Sequence, residues 1–161
     1  RSNHDFMNGH AYKVDYPDNV HIFASESVET ISYKKDGEVL ASIHGFSYVQ
    51  RDITENKVPE YQIKDHHIPW HIAMLHGSLA TNTVHDTYAP FRLHELIDKG
   101  FDYWALGHIH QRAILHQEPY IVYPGNIQGR HRKEMGEKGC YHVVMSPMKT
   151  ELTFIPFRCL P

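Results

Sequence analysis

Three short stretches of this chain carry side chains able to hold a divalent metal ion. Gly107-His108-Ile109-His110 follows directly on an apolar run, Asp102 to Leu106. Side chains at i and i+2 of an extended chain project to the same side, roughly 6–7 Å apart. Two imidazoles so placed can serve neighbouring positions of a dinuclear centre whose ions lie about 3.5–4 Å apart. Gly107 removes a side chain where the backbone passes close to such a cluster. His76-Gly77 closes another apolar run, Trp70 to Leu75, with the same order of strand, His and Gly. Asn3-His4-Asp5 offers an amide oxygen, a nitrogen base and a carboxylate. Taken singly, each has a plainer reading: polar residues opening a loop, a hydrogen-bonded strand-end histidine, an ordinary polar turn. Together they earn more weight, because strand ends are where α/β proteins place their sites.

The elements that must position these groups can be read from periodicity. Val20 to Ala24 reads as a short apolar strand, and Val28 to Tyr33 alternates as a half-buried strand does. Asp36-Gly37 predicts a tight hairpin, with Val39 to Gly45 as the returning strand. Residues 51 to 65 are polar, and a short helix and a loop fit them equally. Trp70 to Leu75 and Asp102 to Leu106 are buried strands. Between them, Pro90 to Lys99 reads as a helix, with Pro90 suited to the first turn and Gly100 to the stop. A helix between two apolar strands predicts a crossover unit. Strands near Ala113 to His116, Tyr120 to Tyr123, Gly139 to Met145 and Glu151 to Phe157 predict an antiparallel meander.

Composition bounds the function. The 161 residues suit one domain, with 41% hydrophobic and 22% charged residues, near ordinary globular usage. No apolar run reaches the roughly 18 residues of a membrane span. A net charge of −3 is not the footprint of a nucleic-acid binder as a whole, although bound cations can carry phosphate recognition locally. Fifteen histidines is a high count, which spacing must sort into ligands and ordinary residues. Cys140 and Cys159 show no disulfide framework and suit a reducing, cytoplasmic compartment.

The order Asn-His-Asp, His-Gly, Gly-His-x-His resembles the C-terminal half of the calcineurin-like metallophosphoesterase signature. The resemblance covers nearly the whole chain, and within the superfamily it is nearest to the SbcD-type, YhaO-like bacterial DNA repair exonucleases. It rests on Ser2-Asn3-His4-Asp5, Ile43-His44-Gly45-Phe46-Ser47-Tyr48, Leu75-His76-Gly77, the string from Phe101 through His110, and Tyr123-Pro124-Gly125-Asn126-Ile127-Gln128-Gly129. It implies an α/β fold, a metallophosphoesterase-type double mixed β-sheet sandwich flanked by helices, with residues 1–161 as the C-terminal portion of a single such domain. It implies that Asn3, His76 and His108 bind the second of two metal ions and His110 the first. It implies that His4 faces the scissile phosphate, orienting it or protonating the leaving oxygen, with Asp5 at most a partner behind it. Mn²⁺ is the expected ion, and nitrogen and oxygen ligands also suit Fe, Zn or Co.

The family's Asp-x-His and Gly-Asp motifs, the second of which bridges both ions, belong before Asn3, where neither is present; Ser2 stands where the family usually has Gly. The chain starts on Arg1 rather than Met, and the expectation is an N-terminally truncated fragment, weakly metallated or apo and inactive alone. The intact parent is expected to be a phosphodiesterase or DNA exonuclease in repair, with an SbcC- or YhaN-like coiled-coil ATPase as partner and a nuclease homodimer. The alternatives are a metallophosphatase on another phosphoester and a scaffold without catalysis. Arg130-His131-Arg132-Lys133 is a basic run suited to the DNA backbone, with Arg130 and Arg132 the proposed contacts, or else a solvated loop offset by Glu134 and Glu137. His44, His66, His67, His71, His85 and His94 are read as packing or surface residues, since none follows a strand with ligand spacing.

Overall fold

A computed structural model of the chain describes residues 16–25, 27–48, 53–81, 88–129, 132 and 134–157. Among the described residues, eight strands and one short helix account for the regular structure: β1 (Glu29–Lys35), β2 (Glu38–Gly45), β3 (Trp70–His76), α1 (Leu93–Ile97), β4 (Tyr103–Gly107), β5 (Ala113–Gln117), β6 (Tyr120–Tyr123), β7 (Gly139–Ser146) and β8 (Lys149–Pro156), with a 3-10 turn at Val58–Glu60. The first six form one mixed sheet in the order β1-β2-β3-β4-β6-β5, and β7 and β8 pair as a separate two-stranded sheet. A mixed sheet with few helices is the α/β class expected.

Asp36 (φ 52°) and Gly37 (φ 87°) both take positive φ, as the tight turn between β1 and β2 requires. β2, β3, β4 and β6 then run parallel. Parallel neighbours need crossovers, and α1 sits in the one between β3 and β4. Trp104, fully buried in β4, ties that helix to the sheet by donating its Nε1–H to the Leu96 carbonyl (3.1 Å). Asp102 aligns the starts of both strands: its carboxylate accepts from the His71 N–H (2.7 Å) and its own N–H donates to the His71 carbonyl (2.9 Å).

The core lies on the sheet face that α1 and the connecting loops cover, where Ala73, Leu75, Trp104, Leu106, Ile121 and Tyr123 meet Tyr48, Val58, Tyr61, Phe91 and Leu96. The opposite face is apolar but unevenly covered. Tyr103 and Val122 are buried there, whereas Tyr33, Met74 and Ile114 are 52, 46 and 43% exposed. The register shifts within both edge strands, between Tyr33 and Lys34 against β2 and between Ile114 and His116 against β6.

Three expectations are corrected. Val20 to Ala24 is not a strand. Its backbone is used otherwise, the Ala24 carbonyl accepting from the Ser47 N–H (2.7 Å) and the Ala24 N–H donating to the Glu29 carboxylate (2.7 Å). The helix is five residues rather than ten, capped by Arg92 and the Glu95 carboxylate, which holds the Arg92 N–H at 2.7 Å. The later strands are not one meander, because β6 enters parallel to β4, leaves β5 outermost, and β7–β8 form their own sheet.

Candidate metal centre

His76 is the last residue of β3 and pairs in register with Gly107, the last of β4. His108 follows at once, so two adjacent parallel strands deliver one imidazole each at their carboxyl ends. The ring centroids are 5.3 Å apart at 79°. The glycines are required by close approach. A Cβ on Gly107 would lie 2.8 Å from His76 Nδ1, and one on Gly77 would lie 2.6 Å from the Ala89 carbonyl oxygen. His108 takes φ 94°, a region that side chains rarely occupy and that concentrates at functional sites.

Buried phenols fix this end of β3. Tyr48 donates its hydroxyl to the His76 carbonyl, Tyr61 to Met74 (2.5 Å) and Tyr123 to Gly77 (2.7 Å). Burial pushes all three phenols well above the usual tyrosine range, so they remain donors across the pH range of interest. Tyr88 walls the pair, stacked on His108 at 5.3 Å and 17° and edge-on to His76 at 5.6 Å. Ser78 holds Tyr88 in turn, its hydroxyl accepting from the Tyr88 N–H (3.0 Å).

His110 is held separately. Its Nδ1 lies 2.7 Å from Glu134 Oε1, Glu134 Oε2 accepts from Asn126 Nδ2 (2.8 Å), and the Asn126 N–H donates to the His110 carbonyl (3.2 Å). Gly125 (φ 77°) permits that crossing, since a Cβ there would sit 2.9 Å from the His110 oxygen.

The structure thus brings His76 and His108 together and gives His110 a carboxylate partner. Asn3, His4, Asp5 and Arg130 lie outside the described residues, and Arg132 is exposed. Among the described residues, no group of three or more His, Cys, Asp or Glu is placed to hold a metal ion. The donor chemistry of the pair suits a divalent transition metal: two imidazoles, at a separation that lets each direct a nitrogen to a shared ion. The pair supplies no anionic ligand, so a tight site calls for further donors, as Asn3 and a bridging carboxylate would be. The roles of Tyr48, Tyr61, Tyr88, Tyr123 and Glu134 were not legible. The family-like strings contain Tyr48, Tyr123 and Asn126, but a string gives a position and not a bonding partner.

His44 and His71 are packing residues, His66, His67 and His94 are exposed, and His85 lies outside the described residues. Ser42 Oγ, buried, lies 2.9 Å from His44 Nε2 and 2.6 Å from His71 Nδ1, and Thr30 Oγ1 is 2.9 Å from His44 Nδ1. Burial, with His71 and Lys64 nearby, lowers His44 to about 4. Burial also lowers His71, against an opposing pull from Asp102.

No family model matches the chain. It is 48% identical over 142 residues to the uncharacterized metallophosphoesterase YhaO of Bacillus subtilis (strain 168), an alignment taking in 88% of this chain and 35% of that protein. The chain therefore spans about a third of the length of the curated relative it matches.

Proposed function

The chain belongs to the calcineurin-like metallophosphoesterases of the YhaO-like kind, and on that premise we propose that it forms the C-terminal part of a metal-dependent phosphodiesterase acting as a DNA exonuclease in repair. The observation that carries the reading is the His76–His108 pair, set at the ends of adjacent parallel strands with a glycine cleared beside it. Bound divalent ions, with Mn²⁺ the first choice, would activate a water and neutralise phosphate oxygens. His76 and His108, with Asn3, hold one ion; His110 holds the other. His4 orients the scissile phosphate or protonates the leaving oxygen. Arg130 and Arg132 take the DNA backbone without reading base sequence. A coiled-coil ATPase of the SbcC or YhaN kind and a second nuclease copy are the partners proposed, in the cytoplasm.

The test uses the full-length protein. Mn²⁺ titration followed by linear DNA and a small aryl phosphodiester as substrates should give two bound ions and cleavage of both. Cleavage of the aryl ester alone would replace DNA with another phosphoester. Failure to bind metal at all would leave a scaffold of the same fold. Neutralising Arg130 and Arg132 together should reduce the salt slope of DNA binding by about 2; an unchanged slope removes them from the interface.

A further inference from the structure

We propose that Glu134 is the positioning residue that fixes the tautomer and aim of His110, an inference that rests on reading His110 as a metal ligand. The carboxylate is 11% exposed and reaches His110 Nδ1 at 2.7 Å, a length typical of a charge-assisted bond. An ionised carboxylate can only accept, so the proton of a neutral His110 sits on Nδ1. The lone pair is then left on Nε2, directed away from Glu134, where a metal ion can take it. Carboxylates behind ligating histidines act in this way, and losing one typically costs about 10–100-fold in metal affinity.

Glu134 is itself held in place. Asn126 Nδ2 donates to Oε2 at 2.8 Å, while the Asn126 N–H reaches back to the His110 carbonyl at 3.2 Å. Residue 110 is therefore gripped at its ring by Glu134 and at its backbone by Asn126, at a close approach that Gly125 allows. The amide pays for this arrangement: Asn126 Oδ1 is buried with no hydrogen-bond partner among the described residues. Turning the amide over would point that oxygen at the carboxylate, so the Nδ2 donor is what keeps Glu134 aimed. The sequence shows Glu134 only as a charge offsetting a basic run; its partner lies 24 residues away.

The experiment compares Glu134→Ala, Glu134→Gln and His110→Ala in the full-length protein, with ¹⁵N-labelled histidine. Long-range proton–nitrogen spectra of metal-free protein at pH 8.5 read the His110 tautomer, and calorimetric Mn²⁺ titration reads affinity. Glu134→Ala should lose the Nδ1–H preference and weaken one of two ions by about 10–100-fold. Glu134→Gln keeps an acceptor and should retain the tautomer and most of the affinity. If His110→Ala leaves both ions bound as before, the reading of His110 as a ligand fails. If His110→Ala loses an ion while Glu134→Ala changes neither tautomer nor affinity, the positioning role is overturned and the ligand stands. A fall in melting temperature with both readouts unchanged in Glu134→Gln and Glu134→Ala likewise overturns it.

Discussion

Two of the neighbouring imidazole pairs among the described residues, one within the sheet and one at its strand ends, differ in everything but distance. His44 and His71 are 6.2 Å apart, His76 and His108 5.3 Å. The first pair lies within the sheet, joined through the one Ser42 hydroxyl and buried. Both His44 nitrogens and His71 Nδ1 are engaged by side-chain hydroxyls, and burial disfavours the charged forms of the pair. The second pair is half-buried, at strand ends, each histidine flanked by a glycine cleared for close approach. Proximity of histidines is thus poor grounds for a metal site. Position on the strand discriminates far better.

The sharpest way to break this contrast is to delete one ring from each pair in the full-length protein. His108→Ala should lower phosphodiesterase turnover by more than about 100-fold with little loss of stability. His44→Ala should cost about 2–4 kcal/mol in denaturant unfolding and leave turnover per folded molecule intact. The reverse pattern would exchange the two assignments. Gly107→Ala is the next most telling change. The added methyl would press on His76 Nδ1 from 2.8 Å, and metal affinity should fall by about tenfold while the strand survives.

Acidification gives the smallest effect. His44 has a folded pKa of about 4 against an ordinary 6.5. Between those values the unfolded chain binds the proton and the folded chain does not, so stability falls as pH drops through this window and is regained above it. Melting in the metal-free protein should show the loss as pH falls through this window. His44→Gln should flatten the profile; a profile unchanged by that substitution would place the acid sensitivity elsewhere.

Much of the architecture could be read from the residues because its signals are local. The apolar run ending Trp104-Ala105-Leu106-Gly107 and the Asp36-Gly37 turn depend on near neighbours, and both hold, whereas the helix ends at Ile97, short of the stop expected at Gly100. Val20 to Ala24 misled because an apolar run cannot say whether a partner strand exists. The helix came out short because Arg92 and Glu95 close a capping box inside the stretch that Pro90 seemed to open. At the site, the strand-end positions of His76 and His108 were legible from strand, His and Gly, while their reading as ligands came from the resemblance. The phenols that hold them were not, since Tyr48 and Tyr123 reach β3 from 28 and 46 residues away. Glu134 was hidden for the same reason.

The register shifts in β1 and β5 bear on how this sheet can grow. A shifted edge strand presents its free amides and carbonyls out of step, and Lys34 and Lys35 add charge to the β1 side. Strand-by-strand addition is discouraged at both borders. Tyr33, Met74 and Ile114 leave the broad apolar surface as the open approach. Whatever joins this sheet, whether more of its own polypeptide or another molecule, has reason to lie across it as a second layer rather than extend it sideways.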